Sequence, residues 1–293
     1  MVPTPNLTRN QALVLKALSG ADGPLSAYAI LDRLRKEGLR APLQVYRALD
    51  KLQGYGLVHR LESLNAFVAC SQPHAGENGM AAFELDAYRT DPEESGRGAV
   101  IVVQEIFGVN HHIRSVCDRF AAVGYTAIAP ALFDRKERGF ETGYATGDVQ
   151  KARAFMAGLE REDMLLDVSA AIETARPLGP VALVGYCLGG SLAFLSALKF
   201  EGLSAAVCYY GSLIAQNADH APKCPTQMHF GALDKGIPVS DVERIRTLRP
   251  ECEVWLYPGA GHGFNCDERD AFEPASSAIG WMRTAEWLAD HLS

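Results

Sequence analysis

The chain has 293 residues, 48% hydrophobic and 22% charged, too apolar for a disordered chain and long enough for one large core or two unequal domains. Its formal charge of −7 is unevenly divided: residues 1–79 carry nine Lys and Arg against six Asp and Glu, a net +3, and residues 80–293 carry a net −10. No apolar run approaches the ~20 residues of a membrane helix, Met1–Asn10 has no apolar stretch behind a basic start, and the seven cysteines form no C-x-x-C pair, so we expect a reduced, cytoplasmic protein with no membrane partner.

In chain order, the first third has helical periodicity. A helix is expected over about Arg9–Leu18, with Thr8 as N-cap, and a second over about Ser26–Glu37, ending at Gly38. A third begins at Pro42 and ends near Gly54. It carries Val45, Ala48, Leu49 and Leu52 on one side and Arg40, Gln44, Arg47 and Lys51 on another. Leu57–Leu61 and Ala66–Ala69 form two short β-like runs around a turn. Three helices followed by a hairpin is the order of a winged helix, whose third helix would present a basic, polar stripe to a DNA major groove. A charged stripe is also what any solvated helix face carries.

The polar stretches Ser71–Gly79 and Thr90–Gly98 mark loops, and we place a domain boundary near 79/80, giving domains 1–79 and 80–293. Beyond it strands and helices alternate. Strands are expected at Gly98–Gln104, Tyr125–Ala129, Pro180–Gly185, Ser204–Tyr210, Thr226–Gly231 and Glu253–Tyr257. Helices are expected at about 110–123, 147–158, 161–176, 191–198, 240–248 and 276–292. This pattern predicts an α/β domain with an open, mostly parallel sheet.

The strongest local signal is Gly185-Tyr186-Cys187-Leu188-Gly189-Gly190, between an apolar strand and an apolar helix. That is the context of a nucleophile elbow, here with cysteine as nucleophile. The Leu188 N–H is a candidate oxyanion donor. A lone cysteine in such a place is more often a small buried residue. However, an α/β-hydrolase orders nucleophile, acid and histidine along the chain, and Asp234 and His262 each follow a later strand. His229 lies within a strand, His220 in a polar loop, and His111 and His112 at a helix start, so these read as structural or surface residues.

Two resemblances add to this reading. Leu7–Cys70 resembles the DNA-binding half of the ferric/zinc uptake regulator family through LTRNQALVLKAL, SAYAILDRLRKEG, VYRALDKL and GLVHRLESLNAFVAC. It implies that Tyr46 and Arg47 sit on a recognition helix, with DNA as a partner. His59, Cys70 and His74 match three ligands of that family's regulatory metal site. The domain that would supply a fourth ligand, and its paired C-x-x-C sites, are missing, so no metal is expected.

Residues 80–293 resemble the dienelactone hydrolase family through VVQEIFGVN, APALFDR, VGYCLGGSLAF, HFGALDKGIP and YPGAGHGFN. The resemblance implies an α/β-hydrolase fold and a Cys187–His262–Asp234 triad. It also implies Glu105 in contact with the cysteine, helping to make it a thiolate when substrate arrives, Ile106 as second oxyanion donor, Arg135 as a substrate-carboxylate ligand, and no cofactor. A second arginine, expected a few residues after the histidine, is absent, and the usual serine directly after it is Gly263. The expected activity is hydrolysis of a small activated lactone or ester. The alternatives are a DNA-binding regulator that uses the hydrolase fold to sense an effector, and a hydrolase carrying a passenger N-terminal module.

Overall fold

The computed structural model describes residues 7–21, 25–54, 57–61, 66–69, 85–93 and 96–292. The chain divides into two compact units, Met1–Asp86 and Ala87–Ser293. The boundary expected at 79/80 falls outside the described residues, as do Cys70 and His74.

The first unit contains α1 (Arg9–Ser19), α2 (Ala27–Leu34), a 3-10 turn (Arg35–Glu37), α3 (Pro42–Gly54) and an antiparallel pair, β1 (Val58–Leu61) and β2 (Ala66–Ala69). Thr8 caps α1 reciprocally with Gln11, and the Ser26 hydroxyl accepts from Ala29 N at the start of α2, satisfying N–H groups that have no intrahelical partner. Leu25 bridges Phe67 and adds a third chain to the pair. Val14, Leu18, Ile30, Leu31, Val45, Leu49 and Leu52 form the core. The opposite face of α3 exposes Gln44, Tyr46, Arg47 and Lys51, the division that the spacing predicts.

The second unit is built on a seven-stranded sheet in the order β3-β5-β4-β6-β7-β8-β9. The strands are β3 (Ala87–Thr90), β4 (Ala99–Val103), β5 (Thr126–Pro130), β6 (Val181–Tyr186), β7 (Ala205–Tyr209), β8 (Thr226–Gly231) and β9 (Glu253–Tyr257). All neighbours pair in parallel except β3, which runs antiparallel to β5. Residues of β4 through β8 are buried at every position, as in a sheet covered on both faces. The helices are α4 (His111–Ala122), α5 (Thr146–Met156), α6 (Arg161–Ala175), α7 (Leu188–Lys199), the single turn α8 (Ile214–Asn217), α9 (Val239–Leu248) and α10 (Pro274–His291).

Two elements escape the sequence reading. Strand β3 is four half-buried residues beside a polar stretch, too short to show a period. Turn α8 is shorter than a helical repeat can reveal. Helix α7 begins at Leu188 rather than near Ser191, directly behind Cys187. No helix among the described residues is long and apolar enough to cross a membrane.

The topology positions the site. Strand β4 has β5 on one side and β6 on the other, so the direction of winding reverses there. A crevice opens at the carboxyl ends of such strands. Val103 pairs with Gly185, which places Glu105 and Cys187 two residues beyond the same register point on adjacent strands.

Candidate active site

Cys187 stands between β6 and α7 with φ 56° and ψ −111°, a conformation costly for a side chain with a Cβ. Its N–H donates to Tyr209 O at 3.0 Å, and its carbonyl accepts from Ser191 N at 3.1 Å. The turn is tight enough that a Cβ at Gly185 would lie 2.0 Å from Gly189 O, and one at Gly189 would lie 2.0 Å from Val103 O. Both positions therefore require glycine. The elbow puts Cys187 at the amino end of α7. Leu188 opens that helix, so its N–H has no acceptor within it. Ile106 follows Glu105 in the loop after β4.

Asp234 and His262 lie beyond the ends of β8 and β9. Asp234 is 5% exposed, and one of its oxygens accepts from Gly236 N at 2.8 Å. The other lies 2.6 Å from His262 Nδ1, and His262 Nε2 lies 3.1 Å from Cys187 Sγ. The three residues read from chain order thus form one continuous hydrogen-bonded chain. Burial alone would lower the His262 pKa, but its bonds to Asp234 and Cys187 raise it to about 10. The Tyr210 ring packs 5.1 Å from the His262 ring.

Burial pushes the thiols of Cys117, Cys208, Cys224, Cys252 and Cys266 upward, which suppresses their thiolates.

The Glu105 side chain is fully buried, and its oxygens are taken by Arg269 Nη1 at 2.9 Å and by the Tyr144 hydroxyl at 3.2 Å. Tyr144 also accepts from Asn110 Nδ2 at 3.0 Å, and Asn110 reaches on to the Thr142 carbonyl. Burial and the Glu105 charge raise the Tyr144 pKa, so its hydroxyl stays a donor.

Arg269 stands seven residues after His262. It follows a turn in which Cys266 N bonds Gly263 O and Arg269 N bonds Cys266 O. This also explains Gly263. It has φ 80°, and a Cβ there would lie 2.4 Å from Arg269 Nη1.

Arg135 also differs from expectation. It makes a bidentate pair with Asp167 of α6, at 2.8 and 2.7 Å, with its side chain 16% exposed. Burial pushes the Asp167 pKa up to about 6, against the pull of Arg135. This pair ties the β5–α5 connection, which delivers Thr142 and Tyr144, to the body of the unit. His229 is buried between Tyr257 and Gln227, a structural place as expected. His112, read as structural or surface, is buried and faces the Glu105 charge.

An open, mostly parallel sheet with a strained nucleophile turn and a Cys-Asp-His chain at its carboxyl edge has the architecture of an α/β-hydrolase. The dienelactone hydrolase family model matches residues 85–292, and the chain belongs to that family. It is 33% identical over 229 residues to the "Putative carboxymethylenebutenolidase" of Synechocystis, covering 71% of this chain and 93% of that protein. It is 34% identical over 242 residues to a protein of the same name from Escherichia coli O157:H7, covering 75% and 86%. Among solved structures, a dienelactone hydrolase homologue from Klebsiella pneumoniae superposes with a TM-score of 0.63 at 31% identity, covering 71% of this chain and 94% of that one. The phosphotriesterase P91 from metagenomic libraries, at 18% identity and a TM-score of 0.57, shares the fold.

Proposed function

We propose that the larger unit is a cysteine-dependent hydrolase that opens activated lactones or esters through a thioester. What carries this reading is the bonded chain from Cys187 Sγ through His262 to Asp234. A strongly basic imidazole can hold the thiol proton while Sγ attacks the carbonyl. Leu188 and Ile106 N–H groups then meet the oxyanion. The carbonyl–oxygen bond breaks, the ring oxygen leaves as an enolate that then takes the proton His262 holds, and Sγ stays acylated. Water, giving its proton to His262, cleaves the thioester and frees Cys187, while Asp234 holds the imidazole in register. An enolate leaves without strong protonation, so an activated lactone of the carboxymethylenebutenolide type suits the site better than an amide.

Glu105 serves as a second base for the Cys187 thiol once it leaves Arg269. A carboxylate on the substrate, competing for Arg269, would release it, and this makes Arg269 rather than Arg135 the proposed carboxylate ligand. The scattered free cysteines support a cytoplasmic setting. The test is a panel of activated lactones and neutral esters assayed with wild type and Cys187→Ala. Turnover by wild type and its loss in the variant are expected; a wild type that hydrolyses none of them sinks the proposal.

A second reading concerns the smaller unit alone. Three helices, a bridged β pair, and the exposed Tyr46 and Arg47 on α3 support a winged helix that reads DNA. As a regulator, the protein would bind a specific duplex in a salt-sensitive way that changes with a ligand of the hydrolase unit. Binding that is equal for all sequences would contradict it.

A further inference from the structure

Behind the Glu105–Arg269 pair lies a group that the hydrolysis does not use. Glu105, His112 and Cys266 are all buried, and one ligand atom from each lies within 4.8 Å of the others. His112 is 1% exposed, and its two nitrogens differ. Nδ1 lies 3.4 Å from the Asp267 carboxylate, and Nε2 is buried with no hydrogen-bond partner. With the Asp267 carboxylate on Nδ1, the unpartnered Nε2 is the nitrogen left to bind an ion. The Tyr210 hydroxyl, close enough to Glu105 and Cys266 for their charges to act on it, is likewise buried without a partner. Unpartnered buried polar atoms call for an occupant.

The donor set selects the occupant. One thiolate, one imidazole and one carboxylate suit Zn²⁺ or a similar borderline transition ion, and thiolate and imidazole argue against Mg²⁺ or Ca²⁺. A carboxylate on the second nitrogen is the usual support of a metal-bound histidine, because it fixes the tautomer. Here Asp267, next to Cys266 in sequence, has that place. Its side chain is 69% exposed.

We propose that Glu105, His112 and Cys266 form a zinc-type ion site, and that an ion bound there holds Glu105 away from Cys187 and inhibits hydrolysis. On binding, Cys266 loses its proton to solvent, the thiolate and Glu105 carboxylate balance the dication, and the ring stays neutral. The ion also competes with Arg269 and Tyr144 for Glu105. The inhibitory half rests on the reading of Glu105 as a base for Cys187; the ion site does not.

The test uses the full chain titrated with Co²⁺, which gives a near-ultraviolet charge-transfer band only when a thiolate is a ligand, with Zn²⁺ as competitor. One equivalent per chain is expected. The band should persist in Cys187→Ala and Cys70→Ser and vanish in Cys266→Ala. Asp267→Asn, a change at an exposed residue, keeps the fold testable and should weaken the ion about 10–100-fold. Inhibition by Zn²⁺ should weaken in parallel. Absence of the band, or a band that survives Cys266→Ala, overturns the site. A Cys266-dependent band without inhibition leaves the site standing and overturns the role of Glu105.

Discussion

Cys187 has two neighbourhoods, and they are differently prepared. On one side His262 and Asp234 reach it through direct hydrogen bonds, at 3.1 and 2.6 Å. On the other, Glu105 projects from the adjacent strand at the matching register but is bonded to Arg269 and Tyr144. The first side is assembled before any substrate arrives; the second must exchange partners to take part. The difference teaches that the acid–base chemistry we propose would be split between a fixed relay and a carboxylate that must be released.

The largest expected effect strikes the element shared by both sides. Cys187→Ala should lower kcat on an activated ester by about 10⁶-fold, read by steady-state assay at equal folded protein. Next comes the fixed relay. Asp234→Asn should cost on the order of 10⁴-fold, as loss of the orienting carboxylate does in serine triads. It should also move a titration. His262 has a raised pKa, so its charged form and the stability it brings are present below the ordinary histidine value and are lost as pH rises through about 10. Removing Asp234 should shift the alkaline limb of the pH–stability curve to lower pH; an unmoved limb would show that Asp234 does not hold the proton.

The releasable side should give smaller losses. Glu105→Gln should reduce kcat by about 10³-fold, the middle of the range for general acid–base work. The loss should be greater for substrates bearing a carboxylate than for neutral esters. Equal loss for both classes would break the link to Arg269. Tyr144→Phe deletes one donor to Glu105 and should change kcat about fivefold, equivalent to ~1 kcal/mol for a single hydrogen bond.

Legibility in the sequence followed the same division. The buried strands announced themselves as unbroken apolar runs because both of their faces are covered. The nucleophile turn was readable because close backbone approach leaves only glycine at 185 and 189. Cys187, Asp234 and His262 were readable because strand–turn order fixes which loop ends meet.

The second side was not readable. Arg269 lies beyond a non-repetitive turn that no period describes, and Tyr144 lies in the connection after β5. Four consecutive residues, Cys266 to Arg269, each meet a different partner: Tyr144, His112, His111 and Glu105. Only the fold brings those partners together. Gly263 was the one visible sign, as a departure whose reason is the guanidinium packed against it. Arg135 was assigned from resemblance alone, and its bidentate pairing with Asp167 depends on a helix that the motif does not contain.

The central claim is that Cys187 carries the acyl group, and the most direct measurement is mass spectrometry of the protein quenched in acid during turnover of an activated ester. The account predicts a mass increase equal to the acyl group, mapped to the peptide containing Cys187, labile to hydroxylamine and absent in Cys187→Ala. Full turnover with no adduct at Cys187, or an adduct and turnover that persist in Cys187→Ala, would contradict it.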